Sequence, residues 1–175
     1  MEYLGMHISD NDTKEALDKL ALDMPDQKVY KKVLENWDRI AKPLDGMGRF
    51  EGITAQIGAI LGTDDIDISK KAVIIMCADN GIVEEGISQS GQDVTMAVVK
   101  QMAKGASSVG KMAAAIGADT IPIDIGINST EKIAGVLDRK IRCGTRNFMK
   151  ETAMTEKEAV RAIFTGMEVA ADCKQ

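Results

Sequence analysis

Polar side chains that could bind a small molecule follow one apolar run of the sequence. Residues 72–78 are apolar throughout, and five residues with binding potential come after them: Asp79, Asn80, Gly81, Ser90 and Gln92. Carboxylate, amide and hydroxyl groups can hold a polar ligand by accepting and donating hydrogen bonds. The alternative is that Asp79 is only a turn residue that accepts backbone N–H bonds, and that the serine and glutamine are polar loop residues.

The apolar run and the turn after it predict how these residues are positioned. Ala72–Ala78 has β-branched residues at its centre, which is typical of a strand buried on both faces of a sheet. Asp79-Asn80-Gly81 is a turn signal, a dozen loop residues follow, and helical periodicity resumes near Asp93. Ligands of open α/β sheets bind outside the carboxyl ends of strands, and loops of this length usually have a function. We therefore expect the site at this junction.

Two acidic residues in the same loop, Glu84 and Glu85, could act as a general acid or base. Solvated loop charges are the favoured interpretation, because surface loops commonly carry acidic residues without a catalytic role.

Two other segments offer groups that could bind an anion. Gly46 and Gly48 lie in PLDGMG, but no strand precedes them and no Lys-Ser/Thr pair follows, so a turn that connects two helices is favoured. The second segment carries four side chains that could contact a phosphate or tie their loop to the body of the protein: Arg142, Thr145, Arg146 and Asn147.

The sequence gives little support to metal or nucleophilic chemistry. His7 is the one histidine, and Cys77, Cys143 and Cys173 share no metal-ligand spacing. We therefore expect no zinc site and no Ser/His/acid or Cys/His catalytic group. The cysteines are interpreted as reduced thiols of a cytoplasmic protein, with Cys77 as inert core.

Charge and length limit the classes of function. The net charge of −5 argues against general attraction to nucleic acid or to a membrane surface. No apolar run approaches a membrane span, and the first residues lack the pattern of a signal peptide. A length of 175 residues suits one domain or a piece of a larger one.

Periodicity predicts an α/β arrangement. Helices are predicted at 9–22, 25–42, 50–61, 93–104, 107–116 and after the capping box Thr155–Glu158, and strands at 72–78, 119–127 and, shorter, 136–141. The long helical crossover predicts parallel pairing of the first two strands, although Pro122 argues against a central position for the second. So few strands before a final helix predict that the chain is incomplete.

Several separate motifs resemble one enzyme family, in order from about Leu34 to Ala171. KPLDGMGRFEGITAQIGAI is similar to a segment near the start of the nicotinate-nucleotide–dimethylbenzimidazole phosphoribosyltransferases. AVIIMCADNGIVEEGISQSGQDVT resembles the strand, turn and Glu-Gly loop of that family, and GADTIPIDIGI its next strand. RKIRCGTRNFMKETAMTEKEA resembles its Gly-Thr-x-Asn loop and the helix after it.

The resemblance implies a fold and an activity. The fold is a three-layer Rossmann-like parallel sheet with an amino-terminal helical subdomain, here residues 1–62, followed by a partial α/β domain, residues 63–175. The activity is transfer of phosphoribose from nicotinate mononucleotide to 5,6-dimethylbenzimidazole, which gives α-ribazole phosphate and nicotinate for the lower ligand of cobalamin. The family implies a cytoplasmic homodimer that needs no metal or organic cofactor.

The family motifs carry over onto few residues. Ser90 matches a serine that lines the benzimidazole pocket, and Asp79, Asn80 and Gly81 match the turn below it. Asn80 stands where many members have a histidine, so it can form hydrogen bonds but cannot titrate. Gln92 lies in the same loop without a family role. The family's phosphate loop and catalytic glutamate are expected beyond Gln175, so we expect no catalytic residue in this chain and little activity from it alone.

Three function classes remain open at this point. The first is an enzyme of this family of which the chain is the amino-terminal half. The second is a non-catalytic half-enzyme or small-molecule-binding α/β module. The third, an unrelated nucleotide-binding domain, predicts a phosphate loop after the first strand, which the sequence lacks.

Overall fold

The computed structural model describes residues 14–21 and 23–173, in which six helices, one 3₁₀ helix and three strands form. The helices are α1 (Lys14–Asp18), α2 (Gln27–Asp38), α3 (Arg49–Leu61), α4 (Asp93–Met102), α5 (Ser108–Ala115) and α6 (Glu156–Asp172). The strands are β1 (Ala72–Ala78), β2 (Asp119–Gly126) and β3 (Leu137–Asp138), and the 3₁₀ helix is Gly81–Glu85. Residues 9–13 and 22 of the first predicted helix lie outside the described residues, and the helix that the structure shows there ends at Asp18.

The chain divides into two compact units. The helical unit consists of the described residues between 20 and 70, and the sheet unit consists of residues 14–19 together with residues 71–173. The predicted domain boundary between residues 62 and 63 stays a prediction.

In the helical unit, the glycine-rich turn connects α2 to α3. Glu51 is 3% exposed and holds this turn from inside, because its carboxylate accepts a hydrogen bond from the backbone N–H of Met47 (2.9 Å) and pairs with Lys42 Nζ (2.9 Å). These contacts favour a structural role for Gly46 and Gly48.

The sheet is parallel, in the order β1–β2–β3, as the crossover predicts. One face of β1 is covered, since Cys77 packs with Val99 of α4 and with Ile127. The prediction that β1 is buried on both faces is wrong for the described residues: Ile74 and Met76, on the other face, are 37% and 41% exposed. A continuous apolar run predicts a strand, but it does not show whether another element packs against the second face of that strand.

Pro122 lies in the central strand, contrary to the expectation from its missing N–H. It pairs with Ile75 of β1, and β3 begins to pair only at Ile123. The carbonyl of Asp124, two residues further, faces the β3 side, where it accepts the N–H of Arg139 at 2.9 Å. Backbone groups alternate along a strand, so the proline nitrogen faces the same side before β3 begins and no ladder bond is lost.

The last helix begins as its sequence predicts. Thr155 accepts the N–H of Glu158 at 3.2 Å, and the glutamate carboxylate accepts the N–H of Thr155 at 2.7 Å, which is a complete capping box. Glu158 also pairs with Arg146 Nη1 at 2.7 Å, which connects the start of α6 to the loop of residues 143–148.

Candidate functional site

An apolar cleft of about 370 Å³ opens at the carboxyl end of β1, in the sheet unit. Its walls are apolar side chains of β1 and α4, and its edge carries polar loop residues. The apolar side chains include Ile75, Met76, Val94, Val98 and Met102, and the polar residues are Asp79, Asn80, Ser88, Ser90, Gln92 and Thr95. Of the five predicted site residues, four line this cleft and Gly81 does not.

Asp79 joins the carboxyl ends of the two long strands. It is 4% exposed, and its Oδ2 accepts the backbone N–H of Asn128 at 2.7 Å, just beyond β2. Its own N–H donates to Gly126 (3.0 Å) and its carbonyl accepts from Thr145 (2.9 Å). Three strong backbone partners make Asp79 the residue that fixes the floor of the cleft.

Gln92 closes the loop between β1 and α4 with both ends of its side chain. Its Nε2 donates to the carbonyl of Asn80 at 3.1 Å, and its Oε1 accepts from Asn128 Nδ2 at 2.7 Å. Sequence analysis did not single out Asn128, although its position directly after the second strand is the signal that could have found it.

Gly81 is placed behind the cleft rather than in it. Its N–H donates to Thr145 Oγ1 at 3.1 Å. A Cβ on this residue would lie 2.5 Å from the carbonyl oxygen of Thr145 and 2.7 Å from the nitrogen of Asn147. A residue without a side chain is therefore required for the loop of residues 143–148 to approach the end of β1.

Ser90 and Ser88 are exposed at the edge of the cleft, with the N–H of Ser90 donating to Ser88 Oγ at 3.3 Å. Their position suits a hydrogen bond to a ligand that lies against the apolar wall.

Glu84 and Glu85 hold a loop. Asn147 Nδ2 donates to Glu85 Oε1 at 2.5 Å, and Lys150 Nζ pairs with Glu84 at 2.7 Å. The hydrogen bond from Lys150 lowers the pKa of Glu84, which makes it a weaker proton acceptor. Neither glutamate lines the cleft, so a structural role is favoured over general acid/base chemistry, although these charges are paired rather than simply solvated.

Three of the four polar side chains in the next loop also have structural partners. Arg146 forms a two-point contact with Glu158, at 2.7 and 3.1 Å, while Thr145 and Asn147 bind Gly81 and Glu85. Arg142 differs from them: its Nη1 is buried and has no hydrogen-bond partner within the described part of the chain.

The buried thiol of Cys77 belongs to the hydrophobic core of the sheet unit. Burial raises the pKa of this cysteine, so the thiol stays protonated and unreactive at neutral pH.

Among residues 14–21 and 23–173, no group of His, Cys, Asp and Glu has the arrangement of a metal site. The same residues contain no helix with the length and apolarity of a membrane span.

Comparison with known proteins identifies relatives over most of the chain. The phosphoribosyltransferase family DBI_PRT matches residues 22–175. The nicotinate-nucleotide–dimethylbenzimidazole phosphoribosyltransferase of Clostridioides difficile is 38% identical over 148 residues, which is 85% of this chain and 42% of that protein. The enzyme of the same name from Acetivibrio thermocellus is 43% identical over 132 residues, 75% of this chain and 38% of the relative.

A solved structure shares the fold. The crystal structure of the enzyme of that name from Thermus thermophilus has a TM-score of 0.76 and 30% identity, and the match covers 85% of this chain and 45% of that one. The chain thus spans about 40% of the length of the curated relatives it matches. It has the three-stranded parallel sheet and the flanking helices expected of part of such an enzyme. Sequence and structure together place this chain in the DBI_PRT phosphoribosyltransferase family.

Proposed function

We propose that this chain supplies the aromatic-base pocket of an enzyme that transfers phosphoribose from nicotinate mononucleotide to 5,6-dimethylbenzimidazole or a related base. The products are α-ribazole phosphate and nicotinate. The observation that carries the proposal is the apolar cleft at the carboxyl end of β1, with Ser88 and Ser90 at its edge, in a member of this family. Its volume of about 370 Å³ lies in the range of small-molecule sites, about 300–1,000 Å³.

The geometry of the cleft suits a flat ring with two nitrogens. The ring lies against Val94, Val98 and Met102, and Ser90 donates a hydrogen bond to one ring nitrogen. A glutamate of the enzyme outside this chain takes the proton from the other nitrogen. That nitrogen then attacks C1′ of the ribose, and the bond between C1′ and nicotinate breaks as nicotinate leaves.

We propose that the loop residues around the cleft hold the pocket in shape and act as its frame. These residues are Asp79, Asn80, Gly81 and Gln92. Asp79 and Gln92 connect the two strand ends through Asn128, so they fix the distance between the apolar wall and Ser90. Asn80 contributes its carbonyl to Gln92 and leaves its exposed side chain at the edge of the cleft. The whole enzyme is proposed to be a cytoplasmic homodimer.

A non-catalytic half-enzyme is the second candidate. It is favoured by one observation: neither Glu84 nor Glu85, the two acidic residues of the loop after β1, lines the cleft. Both candidates use the same pocket, so base binding tests the pocket, and product formation from nicotinate mononucleotide decides between them.

Binding of 5,6-dimethylbenzimidazole to the purified chain, measured by calorimetric titration, tests the pocket. Indane has the same fused-ring shape without ring nitrogens and serves as the ligand control. Ser90→Ala should weaken benzimidazole binding about fivefold, as expected for loss of one hydrogen bond of about 1 kcal/mol, and leave indane binding unchanged.

The matched control variant is Ser108→Ala, an exposed serine in the first turn of α5, away from the cleft. It should leave both ligands unaffected. Equal binding of benzimidazole to the Ser90→Ala variant and the original chain would overturn the assignment of Ser90, and absence of any binding would overturn the pocket.

A further inference from the structure

The peptide group between Ile127 and Asn128, directly after β2, is held at both ends by charged side chains. Its carbonyl oxygen accepts a hydrogen bond from Lys140 Nζ at 2.7 Å. Its N–H donates to Asp79 Oδ2, also at 2.7 Å. The oxygen and the hydrogen of a trans peptide point in opposite directions, so this group lies between an ammonium and a carboxylate. Both hydrogen bonds are charge-assisted, and each polarises the peptide in the direction that strengthens the other.

Lys140 is itself fixed by a buried ion pair. Its Nζ lies 2.6 Å from Asp124 Oδ2, with 20% of the lysine side chain and 8% of the aspartate side chain exposed. The other carboxylate oxygen of Asp124 accepts the N–H groups of Gly126 (3.1 Å) and Ile127 (2.9 Å). Asp124 and Lys140 therefore bind the same short segment, at the point where the register between β1 and β2 shifts.

The side chain of Asn128 connects this segment to the cleft. Its Nδ2 donates to Gln92 Oε1 at 2.7 Å, so the position of Gln92 depends on that of Asn128. A rotation of the peptide before Asn128 would displace its bonds to Gln92 and Asp79 together, and both of these residues line the cleft. Without Lys140, the carbonyl of this peptide would retain the N–H of Ser129, at 2.8 Å, which closes a three-residue turn.

Lys140 and Asp124 lie too far from the cleft to touch a ligand in it. Both line another cavity, of about 700 Å³, beside β3, and neither lines the cleft. An effect of Lys140 on binding in the cleft must therefore pass through the peptide that it holds.

We propose that Lys140 is a positioning residue for the base pocket. By holding the Ile127 carbonyl, it fixes the Asn128 N–H against Asp79 and the Asn128 side chain against Gln92. The inference rests on the proposed function for the identity of the ligand, 5,6-dimethylbenzimidazole. A role in stability alone is the alternative, and it gives a different result when both members of the ion pair are made neutral.

Lys140→Met removes the donor to the Ile127 carbonyl and leaves the buried charge of Asp124 without its partner. The melting temperature should fall by about 5–10 °C. The affinity for 5,6-dimethylbenzimidazole, measured by calorimetric titration, should fall about fivefold. Lys132→Met is the matched control, because it makes the same change in an exposed ion pair with Asp138 at the same cavity, and it should alter neither value.

The double variant Asp124→Asn/Lys140→Met separates positioning from stability. It carries no unpaired buried charge, and the amide oxygen introduced at position 124 can still accept the N–H groups of Gly126 and Ile127. The melting temperature should therefore return close to that of the original chain. The Ile127 carbonyl still lacks its ammonium donor, so base binding should stay about fivefold weaker. Recovery of the base affinity together with the melting temperature would overturn the proposal.

Amide hydrogen exchange at Asn128 gives a readout that needs no ligand. In the double variant this amide should exchange at least about tenfold faster relative to the amides in the middle of α6, whose exchange reports unfolding of the whole unit. An unchanged ratio would overturn the link from Lys140 to Asp79, whatever the titration shows. Faster exchange at Asn128 in a chain that binds no base would support this link and overturn only the base pocket of the proposed function.

Discussion

A Cβ at Gly81 would lie 2.5 Å from the carbonyl oxygen of Thr145. The same glycine donates its N–H to the Thr145 hydroxyl at 3.1 Å. The turn after β1 and the loop of residues 143–148 are therefore in direct backbone contact.

Gly81→Ala should destabilise the sheet unit by about 1–3 kcal/mol, because the obstructing atoms belong to the backbone and cannot rotate away. For a chain of this length, each kcal/mol lowers the melting temperature by about 2–4 °C. Gly166→Ala is the control: this glycine lies within α6 with open space at its Cβ position, so alanine should be neutral or stabilise by about 0.5–1 kcal/mol. Equal melting temperatures for both variants would show that the two loops are not in contact.

Asp79→Ala should reduce stability and base binding together. It removes the acceptor of the Asn128 N–H, which should cost about 1–2 kcal/mol and release the floor of the cleft. Asp79→Asn keeps an oxygen acceptor and should be milder. Asp119→Ala, at the exposed start of β2, is the control and should leave base binding unchanged. Loss of base affinity in Asp79→Ala without loss of stability would mean that Asp79 contacts the ligand directly.

Acid should weaken the fold through Glu158. The hydrogen bonds from Arg146, and then from the backbone N–H of Thr155, lower the pKa of Glu158 from 4.5 to about 2. The pKa of Glu158 is lower in the folded protein than in the unfolded chain. The carboxylate therefore stabilises the fold fully above about pH 5, and this stabilisation is lost as the pH falls from 4.5 towards 2. Because the ion pair is partly exposed and screened by solvent, its contribution is about 1 kcal/mol.

Urea unfolding of the original chain and of Glu158→Gln between pH 7 and pH 2.5 measures this contribution. The difference in unfolding free energy should be largest at neutral pH and shrink in acid. In an Arg146→Gln background, Glu158→Gln should have a much smaller effect, since the main partner is already absent. A difference that is constant with pH would assign the effect to the helix cap geometry and not to the charge.

The isolated chain should be poorly stable or self-associate through β1. This strand is at the edge of the described sheet, and Ile74 and Met76 on one face are 37% and 41% exposed. Met76→Lys should reduce association in sedimentation velocity, whereas Met112→Lys, at an exposed position of α5 away from the sheet edge, should not. A monomer with a sharp cooperative melt at all concentrations would contradict the prediction.

The purified chain should form no measurable α-ribazole phosphate from nicotinate mononucleotide and 5,6-dimethylbenzimidazole. Its two loop glutamates are tied to Asn147 and Lys150 and do not line the cleft, so neither is placed to take the proton from the base. When an enzyme lacks both its general base and the groups that bind the substrate phosphate, the rate of the catalysed reaction falls by many powers of ten. Turnover clearly above that of a Glu84→Ala/Glu85→Ala double variant would contradict this prediction and would assign the general base to one of these two glutamates.

Local patterns were enough to predict the elements that carry the site. The apolar run gives β1, Asp79-Asn80-Gly81 ends it, and the capping box begins α6, because each of these depends on neighbouring residues alone. Parallel pairing also follows locally, since a helical crossover of this length leaves little choice. The choice of Ser90 as a ligand contact came from family resemblance and stays a prediction.

Only the tertiary structure decided which polar residues are structural and which remain available. Gln92 binds Asn128, 36 positions away, and Glu84 binds Lys150, 66 positions away, so no local pattern could pair them. The tolerance of Pro122 in a central strand depends on where β3 begins to pair. The exposure of Ile74 and Met76 depends on what packs against β1 and not on their own apolarity. The sequence by itself determined the strand β1, the turn after it and the helix that follows. Long-range contacts determined the cleft, the hydrogen bonds that frame it and the lack of a partner at Arg142 Nη1 among the described residues, because the burial and pairing of a side chain depend on residues that are distant in sequence.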